Sequence, residues 1–173
     1  MTLRVAIGPS SFAGADSAPL DMLRAHDIEV VPNPFGRRLT EEEIIEHLKD
    51  VDGLIAGLEP LSRRVQSSAA PRLRAIARVG IGVDNVDFEA ARELGIKVSN
   101  TPQPPAAAVA ELTLTAMLAL ARNFVPTNQG VHAGQWPKQI GFSLAGTAVL
   151  IVGYGHIGRR VGALLHALDA HVL

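Results

Sequence analysis

The sequence predicts an α/β fold built on a parallel, doubly wound sheet, and three observations predict it. Short apolar runs of strand length alternate with helix-start signals through residues 1–100. Two of the later apolar runs lead directly into glycine turns, Gly80-Ile81-Gly82 and Gly153-Tyr154-Gly155-His156-Ile157-Gly158. The cluster Pro102, Pro104 and Pro105 punctuates the chain once, and a domain boundary is placed there, between residues 101 and 102.

The elements follow in order. Residues 3–7 (LRVAI) read as a buried strand ending at Gly8. Asp16 or Ser17 caps a helix that has Pro19 in its first turn and Leu20, Met22 and Leu23 on its apolar side. Residues 28–31 (IEVV) form the next strand, closed by Pro32-Asn33-Pro34. Thr40-Glu-Glu-Glu43 is a capping box opening a helix with Ile44, Ile45 and Leu48. A third strand is expected at 54–56 after the Asp52-Gly53 turn, and a fourth at 73–79 after Ala70-Pro71, which blocks helix continuation. Asp87 caps a short helix that ends at Gly95, and 96–98 is a fifth strand. Beyond the prolines, a helix over 106–122 is apolar on nearly every side and demands cover on nearly every side. Residues 124–145 read as an irregular arm. A strand at 148–152, a helix at 156–168 and the start of a strand at 170–173 close the chain.

Composition narrows the function. An apolar share of 47% in 173 residues supports a packed core. A net charge of −1 with interspersed signs gives no case for a nucleic-acid partner. With no cysteine, disulfides, thiolate catalysis and cysteine–metal sites are excluded, and the six histidines form no metal-ligand pattern. The N-terminus lacks the pattern of a signal peptide. The most apolar helical segment carries Glu111 and is shorter than the ~20 residues a membrane span needs. No membrane role and a cytoplasmic location are the expectation.

The turn GYGHIG follows a strand and opens a helix, the context that gives such a motif meaning. Gly153 makes the tight turn, Gly155 lets backbone approach a pyrophosphate, and Gly158 lets helix and strand pack closely. The amides of His156 and Ile157 at the helix start would face the phosphates. An acid gripping the ribose is expected ~20 residues after the motif, at or just past Leu173. Asp169 reads as a turn residue instead. The earlier turn at 80–82 can present backbone amides to an anion at the carboxyl end of a parallel sheet, or it can be a tight turn alone.

Three segments together, GIGVDN, NTP…VAE and GYGHIG, give the chain a family likeness. Residues 78–123, from RVGIGVDNVD to LALARN, resemble the D-isomer-specific 2-hydroxyacid dehydrogenases, and the glycine fingerprint follows at the matching later position. The likeness is good over 50–173 and covers 1–50 in layout. It implies a flavodoxin-like substrate domain over 1–101 and, over 102–173, the start of a Rossmann NAD(P)-binding domain. It assigns the substrate carboxylate to the backbone of Val79, Gly80 and Ile81 beside Arg78, a place near the nicotinamide to Val109, and the pyrophosphate to Gly153, Gly155, His156, Ile157 and Gly158. NAD is the implied cofactor, with NADP left open. The helix at 106–122 and the Trp136 arm match elements of a dimer interface, so a homodimer is expected. In this family an Arg polarises the 2-oxo group and a His supported by a Glu moves the proton; all three would lie beyond Leu173, so the 173 residues are expected to be inactive by themselves.

The resemblance implies a small 2-hydroxy or 2-oxo acid as substrate, such as 3-phosphoglycerate. Family members acting on 3-phosphoglycerate place a basic residue near Gly57-Leu58; here the segment reads GLEPLSRRV. Arg63, Arg64 or Arg78 could meet a phosphate or could be solvated. A glyoxylate- or hydroxypyruvate-reducing class and a non-catalytic nucleotide- or peptide-binding scaffold stand as alternatives. The incomplete second sheet predicts a dimer, a higher oligomer or a poorly packed C-terminal part.

Overall fold

The computed structural model describes residues 2–173. The chain forms two compact units, Met1–Pro102 and Gln103–Leu173.

The first unit is a five-stranded, wholly parallel sheet in the order β2-β1-β3-β4-β5. Its elements are β1 (Leu3–Ile7), α1 (Ala18–Ala25), β2 (Ile28–Val31), α2 (Glu41–His47), β3 (Gly53–Ala56), α3 (Arg63–Ala69), β4 (Ala75–Arg78), α4 (Phe88–Glu93) and β5 (Lys97–Asn100). This is the flavodoxin-like order, in which the direction of winding reverses between β1 and β3. Ala6, Leu54, Ala56 and Ile76 of the central strands pack with Leu39, Ile44, Leu48, Val65 and Leu73 into one core. Burying each large aliphatic side chain there contributes ~1.5–3 kcal/mol.

Two of the helix-start signals act as the sequence suggests, whereas at α1 Ser17 makes no capping bond, Asp16 Oδ1 accepts the Ala18 N–H at 2.9 Å instead, and Met22 is exposed. Thr40 Oγ1 accepts the Glu43 N–H at 3.3 Å, and the Glu43 carboxylate accepts the Thr40 N–H at 2.9 Å, which completes the capping box. Asp87 accepts the Ala90 N–H at 2.8 Å, and Gly95 ends α4 at φ +70. Helix α3 was not among the expected elements. It lacks an apolar period long enough to stand out, and it forms because Ser62 caps Val65 N–H while Val65 and Ala69 are buried. Strand β4 is shorter than the apolar run 73–79, since Leu73 belongs to the turn leaving α3.

The second unit comprises α5 (Ala106–Ala121), α6 (Phe124–His132), β6 (Ala148–Val149), α7 (His156–His166) and β7 (His171–Val172). Strands β6 and β7 pair in parallel. Helix α5 packs Ala110, Leu114, Met117 and Ala121 against the Val161 and Leu165 stripe of α7. Its other sides are uncovered: Leu112 and Leu120 are exposed. Residues 124–132, expected to be irregular, are helical instead. Pro126 falls in the first turn, where a missing N–H costs nothing, and Gly130 gives room to Pro137. The expected strand 148–152 is cut to two residues, because pairing needs a neighbour and β7 supplies two. Asp169 sits at φ +56 in the turn between α7 and β7, as expected. Among the described residues no single helix is long and apolar enough to cross a membrane. The pair α5 and α6 reaches that length together but is bent by 67°.

Candidate functional site

In the first unit the site residues gather at the carboxyl ends of β1, β3 and β4. Arg78 ends β4 and is buried; Val79 follows and is exposed; Gly80 and Ile81 are half-buried. Gly80 holds φ +143, and a Cβ there would overlap the Arg78 guanidinium, so the turn needs glycine on two counts. The amides of this loop are not all free. Val79 N–H donates to Ala56 O at 2.9 Å, continuing the ladder, and Gly80 N–H donates to Thr101 Oγ1 at 2.7 Å. The N–H groups of Ile81 and Gly82 have no acceptor among the described residues. Asn100 fixes the loop from below by donating to Ile81 O at 2.9 Å.

Asn85, in the GIGVDN segment, has a role its sequence did not reveal. Its amide donates to Glu59 O at 2.7 Å and to Gly57 O at 3.2 Å, clasping the loop after β3 to the loop after β4. Leu61 and Asp87 then join the two segments by further backbone bonds. Arg78 donates to Val79 O through Nη1 and leaves its buried Nε without a partner. Arg63 pairs with Glu93 at 2.5 Å and Arg64 with Glu42 at 3.1 Å, both on the exposed sides of their helices. Hydrogen bonding to Glu93 raises the Arg63 guanidinium further above its usual range and lowers the Glu93 carboxyl. Of the three arginines considered for a phosphate, Arg78 alone lines a cleft with the loop.

In the second unit the GYGHIG segment makes the turn from β6 into α7. Gly153 holds φ +98. A Cβ at Gly158 would overlap Gly153 O, so glycine is what lets α7 begin this close to the strand. A Cβ at Gly155 would meet nothing within 4 Å. The chain itself gives no reason for glycine there, which fits a position kept clear for a ligand. Helix α7 starts at His156 with no side-chain cap, so its first N–H groups point outward with the positive end of the helix dipole. His156 is exposed, Ile157 turns its side chain into the core of the unit, and Tyr154 folds back over α7, where a Cβ on Gly162 would lie 2.7 Å from its Oη. Val109 lies half a turn before Glu111 on α5, with 38% of its surface exposed. Among the described residues no group of three acidic or imidazole side chains could hold a metal.

The family described as D-isomer specific 2-hydroxyacid dehydrogenase, catalytic domain, matches residues 11–155. The chain belongs to this family. D-3-phosphoglycerate dehydrogenase from Methanocaldococcus jannaschii is 40% identical over 137 residues, covering 78% of this chain and 26% of that protein. Glyoxylate reductase from Thermococcus gammatolerans is 35% identical over 167 residues, covering 89% of this chain and 48% of that protein. The TT0316 protein of Thermus thermophilus superposes with a TM-score of 0.85 at 34% identity, over 98% of this chain and 55% of that one. This dehydrogenase-family chain therefore spans about half or less of the length of its curated relatives. The likeness runs through the flavodoxin-like sheet and into the turn at 153–158.

Proposed function

We propose that the chain carries the substrate-carboxylate loop and the pyrophosphate turn of an NAD(P)-dependent D-2-hydroxyacid dehydrogenase. The single observation that carries this reading is the uncapped start of α7 behind a glycine, Gly155, whose Cβ position opens onto space. Residues 1–101 form the substrate domain in this reading and 102–173 the opening of the cofactor domain. The amides of His156, Ile157 and Gly158 receive the diphosphate, while Val109 borders the nicotinamide. Hydride transfer to or from a 2-hydroxy or 2-oxo acid is the chemistry a bound nicotinamide supplies. The chain's own residues bind and orient. Ile81 and Gly82 N–H, joined by Gly80 N–H when Thr101 releases it, hold the substrate carboxylate beside Arg78. The uncovered apolar side of α5, with Leu112 and Leu120, supports a second copy of the chain as partner.

Calorimetric titration with NADH and NADPH tests the turn. The purified chain is expected to bind one of them, and Gly155→Ala to weaken binding by about tenfold or more while its melting temperature stays unchanged. Absence of binding of either nucleotide at millimolar concentration would overturn the assignment.

A further inference from the structure

We propose that Glu59 selects the substrate's tail: the site accepts a short 2-hydroxy or 2-oxo acid whose far end carries a hydroxyl and rejects one ending in phosphate. This rests on the reading of the loop after β4 as the carboxylate site. A cleft of about 260 Å³ lies at the carboxyl ends of β1, β3 and β4, lined among others by Gly8, Arg38, Gly57, Glu59, Arg78 and Val79. It stands where the winding of the sheet reverses between β1 and β3, the place where open parallel sheets bind ligands.

Glu59 is built into this cleft. Its side chain is 1% exposed, and two glycines make its space: a Cβ on Gly8 would overlap the carboxylate, and one on Gly57 would lie 2.9 Å from Oε2. Oε1 accepts the Gly57 N–H at 2.8 Å; Oε2 accepts no hydrogen bond among the described residues. Arg78, 7% exposed, lines the same cleft, and its buried Nε has no partner among the described residues. Neither residue forms an ion pair among the described residues, with the other or with any third group. Burying two opposite charges without pairing them is costly, and it is relieved by a ligand that satisfies both. The guanidinium lies against Gly80, so it takes the acid end of the ligand. A carboxylate only accepts hydrogen bonds, so Glu59 takes a donor. A phosphate brings nearly two negative charges to a buried anion, where solvent does not screen the repulsion. Arg38 is exposed, and its opposing attraction is screened.

Amide chemical-shift titrations of the 173-residue chain with D-glycerate, 3-phospho-D-glycerate and D-lactate test this. The first two probes differ by the phosphate, and D-lactate lacks the tail hydroxyl. D-glycerate is expected to bind about tenfold more tightly than its phosphate ester, and more tightly than D-lactate, with shifts at Gly57 and Gly80. In Glu59→Gln, which keeps shape and removes charge, D-glycerate and the ester are expected to bind within about threefold of each other. Equal binding of all three acids at the loop, preference for the ester, or an unchanged ratio in Glu59→Gln overturns the role of Glu59 alone. No shifts with any acid, while the spectrum stays native, overturns the carboxylate-loop reading and this proposal with it.

Discussion

Glycine at 158 and glycine at 155 do opposite things within one motif. Gly158 is required by the protein itself, because any Cβ would overlap Gly153 O. Gly155 faces open space and is required by nothing in the chain. The motif spacing predicts both glycines and cannot separate their roles; the distances do. Gly158→Ala is expected to destabilise residues 103–173 by about 1–3 kcal/mol, the usual cost of forcing atoms into a packed contact. Urea unfolding followed at Trp136 would measure it, and a midpoint equal to that of the unaltered chain would contradict the packing argument. Glu59 shows the same division. Its identity was visible in GLEPLS, but its burial between Gly8 and Gly57 arises only when β1 and β3 lie side by side.

At the scale of an element, α2 is the best-specified helix in the chain. Its start is held by the capping box and by Arg37, whose guanidinium lies 2.6 Å from the Glu43 carboxylate. That hydrogen bond first, and the Thr40 N–H second, lower the Glu43 carboxyl to about 2 from an ordinary 4.5. A carboxyl lowered on folding stabilises the folded state above its unfolded value and loses that contribution as pH falls toward the folded one. The melting-temperature gap between the unaltered chain and Glu43→Gln is therefore expected to be full above about pH 5 and to close toward pH 2. A gap that holds constant through that window would show that the pair adds nothing to folding. The capping box was legible because its four residues are contiguous. The Arg37 contact crosses a turn, and only the folded loop shows it.

For the whole molecule, the two units differ in how fully they cover themselves. The first buries aliphatic side chains on its sheet. The second leaves Leu112, Leu120, Trp136, Ile140, Leu150 and Val152 exposed around a two-stranded sheet. Large apolar side chains left in water in this number are a surface that association would cover. Sedimentation of the purified chain is expected to show concentration-dependent association, and the double substitution Leu112→Glu, Leu120→Glu to weaken it. A monomer at every concentration would remove the second copy from the proposed function.

The sequence by itself determined the α/β class, the alternation of strands and helices, the helix starts at Thr40 and Asp87, and the glycine turn at 153–158. These are written in neighbouring residues, through period, caps and turn chemistry. It also carried enough likeness to place the chain in its family. The tertiary structure alone decided that α3 and α6 are helices, that β6 stops after two residues, that Asn85 clasps the loop after β3, and that Glu59 and Arg78 share a cleft unpaired. Each of these depends on a partner distant in the chain, such as a pairing strand, a facing helix or an opposite loop, and contacts of that kind exist only after the sheet has assembled.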